Sequence, residues 1–305
     1  MAKPRPCGCK GVRTCLICES EYGAEKKQLD IDEAKTRSYV YCPMCEKAWP
    51  GWDWNDYKSH PNHKGQPIEY PGVLVMENFL TDEEAEHLMS GLNALPWDQS
   101  QSGRRKQWSI LFKNNFGPKC NFKKKRLVLG NFNGFPKFTQ LVQKKFASVL
   151  LLHNFKTIEQ CTLEYNPERG ASIDPHIDDC WVWGERIVTV NVIGDSVLTM
   201  TPLKEKDRSR YNLHLAPQQF QQFPIETQDH VVRIPMPAKS LIVLYDQARY
   251  HWEHSVLRDD ITELRVCLAY REFTTPYLEN GEQFDDLAIC ILQTATNFWD
   301  NIACN

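Results

Sequence analysis

From residue 158 to residue 270 the chain alternates short apolar runs with polar, turn-forming stretches. Residues 158–165, 187–192, 197–201, 231–234, 241–245 and 264–270 are each of strand length and rich in β-branched or aromatic side chains. Such a series predicts a jelly roll, with the inward positions of two sheets lining a pocket. Earlier in the chain, residues 73–76 predict a strand. Thr81-Asp82-Glu83-Glu84 is a capping box, Thr81 capping and Glu84 reaching back, and it opens a helix that stops before Pro96. A second helical periodicity runs from Phe138 to about Leu152. Residues 204–227 are polar and Gln-rich and predict an insertion between strands; a closing helix is expected beyond Gly281. Residues 1–68 carry cysteines but no apolar periodicity, and the Pro- and Gly-containing run from Gly65 to Gly72 predicts a boundary. The expected organisation is α+β: a Cys-rich segment over 1–68, then one domain over 69–305.

Composition changes this picture little. With 42% hydrophobic and 25% charged residues the chain reads as an ordinary soluble globular protein. It has no apolar stretch near the roughly 20 residues that span a bilayer, and its first residues lack the apolar core of a signal peptide. A nuclear or cytoplasmic location is expected, with no membrane partner and with the twelve cysteines reduced or metal-bound. The net charge of −3 hides an asymmetry: residues 99–158 hold thirteen Lys or Arg and no Asp or Glu. Arg104, Arg105, Lys106 and Lys123, Lys124, Lys125, Arg126 are interleaved with Trp108, Phe112, Phe116, Phe122, Phe132 and Phe135. The basic segment, 99–138, is therefore a candidate substrate or partner surface, for a phosphate backbone with stacked bases or for an acidic protein.

Two cysteine groups have ligand spacing. Cys7, Cys9, Cys15 and Cys18 form C-x-C-x5-C-x2-C, enough thiolates for a closed tetrahedral zinc site that would supply the folding energy a short polar segment lacks. An iron–sulfur cluster or free thiols would use the same residues. Cys42, Cys45, His60 and His63 form C-x2-C-x14-H-x2-H, a second zinc set with an unusually short His spacing.

The chemistry concentrates at Asp174-Pro175-His176-Ile177-Asp178, with His254 and Arg265 far downstream. Two histidines and a carboxylate can form the facial triad that holds Fe(II) with open positions for oxygen chemistry. If 176–179 is extended, His176 and Asp178 share a face and Asp179 takes the other. A hairpin turning at Asp259-Asp260 would set His254 opposite Arg265, with His251 facing away. Period-two spacing then places Arg265, Cys267, Ala269 and Arg271 on that same face.

These residues resemble those of the Fe(II)/2-oxoglutarate-dependent dioxygenases, and the Arg-x5-Arg spacing of Arg265 and Arg271 resembles their AlkB branch. The runs CGCKGVRTCLIC (7–18), QSGRRKQ (101–107), NPERG (166–170) and WGER (183–186) are most similar to its homologue-four group. The resemblance implies a double-stranded β-helix, iron held by His176, Asp178 and His254, and 2-oxoglutarate bound by Arg265 and Arg271. Tyr165 would donate to the cosubstrate. It implies oxidative N-demethylation with molecular oxygen, releasing succinate and formaldehyde. The implied substrate is divided between monomethyl-lysine in an actin-like protein and N6-methyladenine in DNA. The chain departs from the family pattern where Leu163 replaces an Asn and where Cys267 and Ala269 replace Asn and Thr. The alternative is a zinc-containing, non-catalytic adaptor whose degenerate barrel binds nucleic acid, chromatin proteins or transcription factors. Trp181 and Trp183 are open to packing or to substrate stacking.

Overall fold

The computed structural model describes residues 5, 7–9, 13–26, 29–107, 116–221 and 229–300. The strands of its two large sheets are β1 (Ser38–Cys42), β2 (Lys47–Pro50), β3 (Ile68–Glu69), β4 (Val73–Met76), β5 (Trp97–Gln99), β6 (Arg105–Gln107), β7 (Glu159–Tyr165), β8 (Ile173–His176), β9 (Trp183–Ile193), β10 (Ser196–Pro202), β11 (Val231–Met236), β12 (Leu241–Leu244), β13 (Trp252–Val256) and β14 (Arg265–Phe273). One sheet has the order β8-β13-β10-β11-β1-β2-β3 and the other β4-β12-β9-β14-β7-β6-β5. The helices are α1 (Leu16–Tyr22), α2 (Ile31–Thr36), α3 (Asp82–Asn93), α4 (Gln140–Phe146), α5 (Asp246–Tyr250) and α6 (Asp286–Thr294).

Alternation along the strands sorts the apolar side chains into layers. Leu198, Met200, Val232 and Ile234 of the first sheet share one core with Cys161, Leu163, Cys267 and Ala269 of the second. The opposite face of the second sheet, Val188, Val190, Leu241, Val243, Val266 and Leu268, packs against Leu88 and Leu92 of α3 and Val142 and Phe146 of α4. The cavity-facing residues therefore lie at odd positions of β14.

Local signals explain most element boundaries. Thr81 Oγ1 accepts from the Glu84 amide (3.2 Å) and Glu84 returns the bond to the Thr81 amide (2.9 Å), which satisfies donors at the start of α3. Gly91 sits inside that helix because a Cβ there would stand 2.4 Å from the Phe138 ring. The strand expected at 187–192 begins earlier, at Trp183. Gly184 allows the close approach, since a Cβ would meet the Phe273 carbonyl at 2.5 Å, and Arg186 pairs with Glu272 across the ladder (2.5 Å).

Several expectations are corrected. The helix expected over 138–152 is broken into a 3-10 turn (Lys137–Thr139), α4, and a second 3-10 turn (Leu150–Leu152). Leu150 is 93% exposed, so it mimics a periodicity it does not serve. Residues 204–221 lie between β10 and β11, and there Tyr211, Leu213, Ala216 and Phe220 are buried against Ile177, Cys180 and Tyr250. The boundary near residue 68 does not separate two folding units, because β1 pairs with β11 in parallel (Ser38 beside Val231) and β2 and β3 continue that sheet. The hairpin turning at Asp259-Asp260 does not form; β13 and β14 belong to different sheets. Asp260 is instead committed to Arg233, itself 2% exposed, through contacts of 2.6 and 2.7 Å.

Candidate active site

The end of β8 and the middle of β13 bring two histidines together. His176 is paired directly with His254 in the antiparallel ladder, and their ring centroids are 4.2 Å apart. Nδ1 of His176 donates to the Asp174 carbonyl at 2.8 Å, which fixes the tautomer and leaves Nε2 a lone pair for a metal. Burial lowers the pKa of both imidazoles, most strongly that of His254, so both are neutral ligands near neutral pH. Asp178 follows on a loop, since β8 stops at His176. Its selection over Asp179 therefore comes from loop geometry and not from strand alternation. Asp179 is taken up by Asn212 Nδ2 (2.9 and 3.0 Å) and by the Trp181 amide (2.9 Å).

Asp178 is 7% exposed. Its Oδ1 accepts from Arg271 Nη2 at 3.1 Å, and its Oδ2 is buried with no hydrogen-bond partner. Burial alone would raise its pKa; the Arg271 guanidinium beside it outweighs that and holds it well below the usual carboxylate range. A buried ionised oxygen without a donor is costly, and with the two imidazoles it supplies the donor types that suit a divalent cation. Arg271 also donates to Glu159 at 2.6 Å, which pins the guanidinium between two carboxylates.

Arg265 lies deeper, 1% exposed. It contacts neutral groups there: Asn191 Oδ1 at 2.8 Å, Met236 Sδ at 3.6 Å, and the Tyr165 ring at 4.9 Å. Asn191 was not anticipated from the sequence. It donates to the carbonyls of Gly194, Met236 and Pro237 (2.7–3.1 Å), so its oxygen is fixed toward Arg265. A planar guanidinium held over an aromatic face, with no carboxylate paired to it among the described residues, fits an acidic ligand. Burial raises the pKa of Tyr165, so its hydroxyl stays protonated. His251 stands away from this group, edge-on to Phe220 at 5.8 Å.

The basic segment divides. Arg104 is 6% exposed, lies over the Tyr165 ring at 5.8 Å and donates to the Gln101 carbonyl, so it is not a surface phosphate contact. Arg105 makes a two-point ion pair with the buried carboxylate of Glu164 (Nε to Oε1 2.6 Å) and lies over Trp97. It too is committed inward. Lys106 is half-buried on β6, whereas Lys123, Lys124, Lys125 and Arg126 are exposed at the turn of a hairpin formed by Lys119–Asn121 and Arg126–Val128. Of the aromatics, Phe116, Phe132 and Phe135 are core. Phe122 is 46% exposed and meets Trp181 and Trp183 at 6.0 and 6.4 Å. Trp108 and Phe112 fall outside the described residues. Trp181 and Trp183 are each 4% exposed and pack in the core.

Both cysteine groups converge. One ligand atom from each of Cys7, Cys9, Cys15 and Cys18 lies within 4.8 Å of the others, and the same holds for Cys42, Cys45, His60 and His63. All of these cysteines are free thiols. Burial pushes the Cys18 thiol up, but hydrogen bonding with Cys7 and Cys15 outweighs it and draws the pKa down to about 7, which favours a thiolate ligand. In the second group Cys42 Sγ stands 3.8 Å from His60 Nδ1, and His63 stacks on Trp49.

No family model matches the chain. It is 37% identical over 305 aligned residues to the Homo sapiens protein named alpha-ketoglutarate-dependent dioxygenase alkB homolog 4, covering 96% of this chain and 94% of that one. The Mus musculus protein of the same name is 35% identical, with the same coverage. A Caenorhabditis elegans protein named DNA N6-methyl adenine demethylase is 29% identical over 92% of this chain and 90% of its own. A solved 2OG-Fe(II) oxygenase-family oxidoreductase from Burkholderia pseudomallei aligns over 66% of this chain and 83% of its own, with 11% identity and a TM-score of 0.40, too slight a likeness to argue from.

Proposed function

This chain belongs to the alkB homolog 4 family of alpha-ketoglutarate-dependent dioxygenases, and from that premise we propose that it removes N-methyl groups using Fe(II) at His176, Asp178 and His254. The observation that carries the reading is the Asp178 Oδ2 atom, buried without a hydrogen-bond partner two residues after His176, which is itself paired with His254. The bound iron, with 2-oxoglutarate and oxygen, supplies an oxidation that hydroxylates the methyl group, which leaves as formaldehyde while the cosubstrate becomes succinate and carbon dioxide.

The residues of the chain do the positioning. His176 is oriented by its bond to the Asp174 carbonyl, and Asp178 is held by Arg271. Arg265, aligned by Asn191 and Tyr165, takes the distal carboxylate of 2-oxoglutarate. The Tyr165 hydroxyl donates to the cosubstrate, and Arg271 lies toward its chelating end. Trp183 covers the Arg271 guanidinium, whose centre lies 5.5 Å from the ring, and exclusion of water on that side strengthens the contacts Arg271 makes. The two sulfur-containing groups are read as structural zinc sites, because closed sets of thiolate and imidazole ligands suit that ion.

Two substrate classes fit. The name of the Caenorhabditis elegans relative favours N6-methyladenine in DNA. Monomethyl-lysine in an actin-like protein is favoured by Cys267 and Ala269, which take polar groups out of the pocket. The exposed Lys123–Arg126 hairpin would serve either, attracting phosphates or an acidic protein surface. The test is anaerobic reconstitution with Fe(II) and 2-oxoglutarate, followed by mass spectrometry of methylated peptides and oligonucleotides after oxygen is admitted. Loss of a methyl group with matching succinate supports the reading and identifies the class. Tight binding of either polymer with no succinate would favour the non-catalytic adaptor.

A further inference from the structure

The segment that carries the N-terminal cysteines is docked against β8 and the turn that follows β13. Gly8 lies so close to β5 that a Cβ would meet the Ser100 carbonyl at 2.5 Å. Arg13 donates to Gln101 at 2.6 Å and approaches Asp174 at 3.7 Å, while Lys26 approaches Asp174 at 3.5 Å and bonds the Ser172 hydroxyl. From α1, Glu19 accepts two bonds from Arg258 at 2.6 and 2.7 Å, and Arg258 in turn donates to the Gly170 carbonyl at 3.2 Å. Asp174 precedes His176 by two residues and supplies its orienting carbonyl; Arg258 follows His254 by four. Among its described residues, the small module is built around the cysteines. Its own core consists of Cys9, Cys15 and Cys18, with Cys7 and Ala24 against them.

We infer that the metal held by Cys7, Cys9, Cys15 and Cys18, zinc by its donor set, is a working part of the iron site, clasping β8 and the exit of β13 through Asp174 and Arg258. The inference rests on His176, Asp178 and His254 binding Fe(II). Glu19 is a positioning residue within it. The full-length zinc-loaded protein is titrated anaerobically with Fe(II), beside Cys15→Ser and Glu19→Gln. Cys15→Ser should lose one zinc equivalent and bind Fe(II) at least tenfold more weakly. Glu19→Gln should keep its zinc, bind Fe(II) several-fold more weakly, and regain wild-type kcat once iron is saturating. A full zinc complement in Cys15→Ser, or Fe(II) affinity within twofold of wild type in Glu19→Gln, overturns the clasp. Failure of the underlying reading looks different: the wild type itself would take up no Fe(II), or Asp178→Ala would bind it undiminished.

A second inference comes from strand register. Arg105 pairs with Glu164, so Arg104 occupies the next position, opposite Tyr165, which is itself opposite Arg265. Paired positions share a face, and both guanidiniums lie over the one ring. The pocket carries no polar side chain at Leu163 or Ala269, and Arg104 supplies a donor there. The geometry points to Arg104 as a second anchor for the dianionic cosubstrate, again on the premise that Arg265 binds it. Arg104→Ala should raise the KM for 2-oxoglutarate at least tenfold while Fe(II) affinity stays within twofold, and Arg104→Lys should recover part of the loss. An unchanged KM in Arg104→Ala, or equal losses in iron and cosubstrate binding, contradicts that role.

Discussion

Arg265 shows what one residue's surroundings require. A guanidinium this deeply buried needs an anionic partner, and Asn191, Met236 and Tyr165 are neutral. Arg265→Ala should therefore weaken 2-oxoglutarate by about 2–5 kcal/mol, the range for truncating a desolvated charge pair. A titration with the iron site loaded checks this; affinity within twofold of wild type would move the role to another residue. Asn191→Ala should act more mildly, by about 1–3 kcal/mol, by leaving the guanidinium without its acceptor. Part of this was legible in the sequence, because period-two spacing alone places residues 265, 267, 269 and 271 on one face. Asn191 was not: it lies on a strand away from any motif, and only its bonds to three carbonyls mark it.

At the scale of elements, hydrophobic alternation located β4, β7, β9, β10, β11, β12 and β14, and the Thr81 box located α3. Thr81→Ala should cost about 1 kcal/mol of stability, measurable by denaturant unfolding. Partner strands were harder to foresee. A turn at Asp259-Asp260 is locally plausible, yet β13 and β14 separate into different sheets because Asp260 is drawn to Arg233. The basic segment failed as a single surface for a similar reason: charge along a sequence does not show which residues turn inward to buried carboxylates. The exposed residues 123–126 remain. If they meet phosphates, neutralising them should flatten the salt dependence of single-stranded DNA binding, by about 0.7 in log–log slope per phosphate no longer engaged. An unchanged slope, with turnover of a protein substrate impaired, would assign the hairpin to a protein partner. The Glu19–Arg258 contact should also respond to acid. Its hydrogen bonds hold the Glu19 carboxyl below its ordinary value of 4.5. The stabilisation is thus complete above that pH and fades as pH falls through the lowered folded-state value.

At the scale of the whole molecule, residues 38–69 are integral to the fold. Strands β1 to β3 extend the histidine-bearing sheet, and Arg233 is buried against both Asp260 and the Trp52 ring, 4.1 Å away. Asp260→Ala leaves that cation buried and should destabilise by about 3–5 kcal/mol, read as a lowered denaturant midpoint. The sequence concealed this integration because residues 38–69 contribute short strands without a long apolar run. The central claim, that His176, Asp178 and His254 form an iron site for 2-oxoglutarate oxidation, is tested most directly by iron content and succinate production in wild type and Asp178→Ala, each reconstituted anaerobically and then exposed to oxygen. Wild type should hold one Fe(II) and produce succinate, and Asp178→Ala should fold, keep its zinc and produce none. Equal succinate from the two proteins would contradict the assignment.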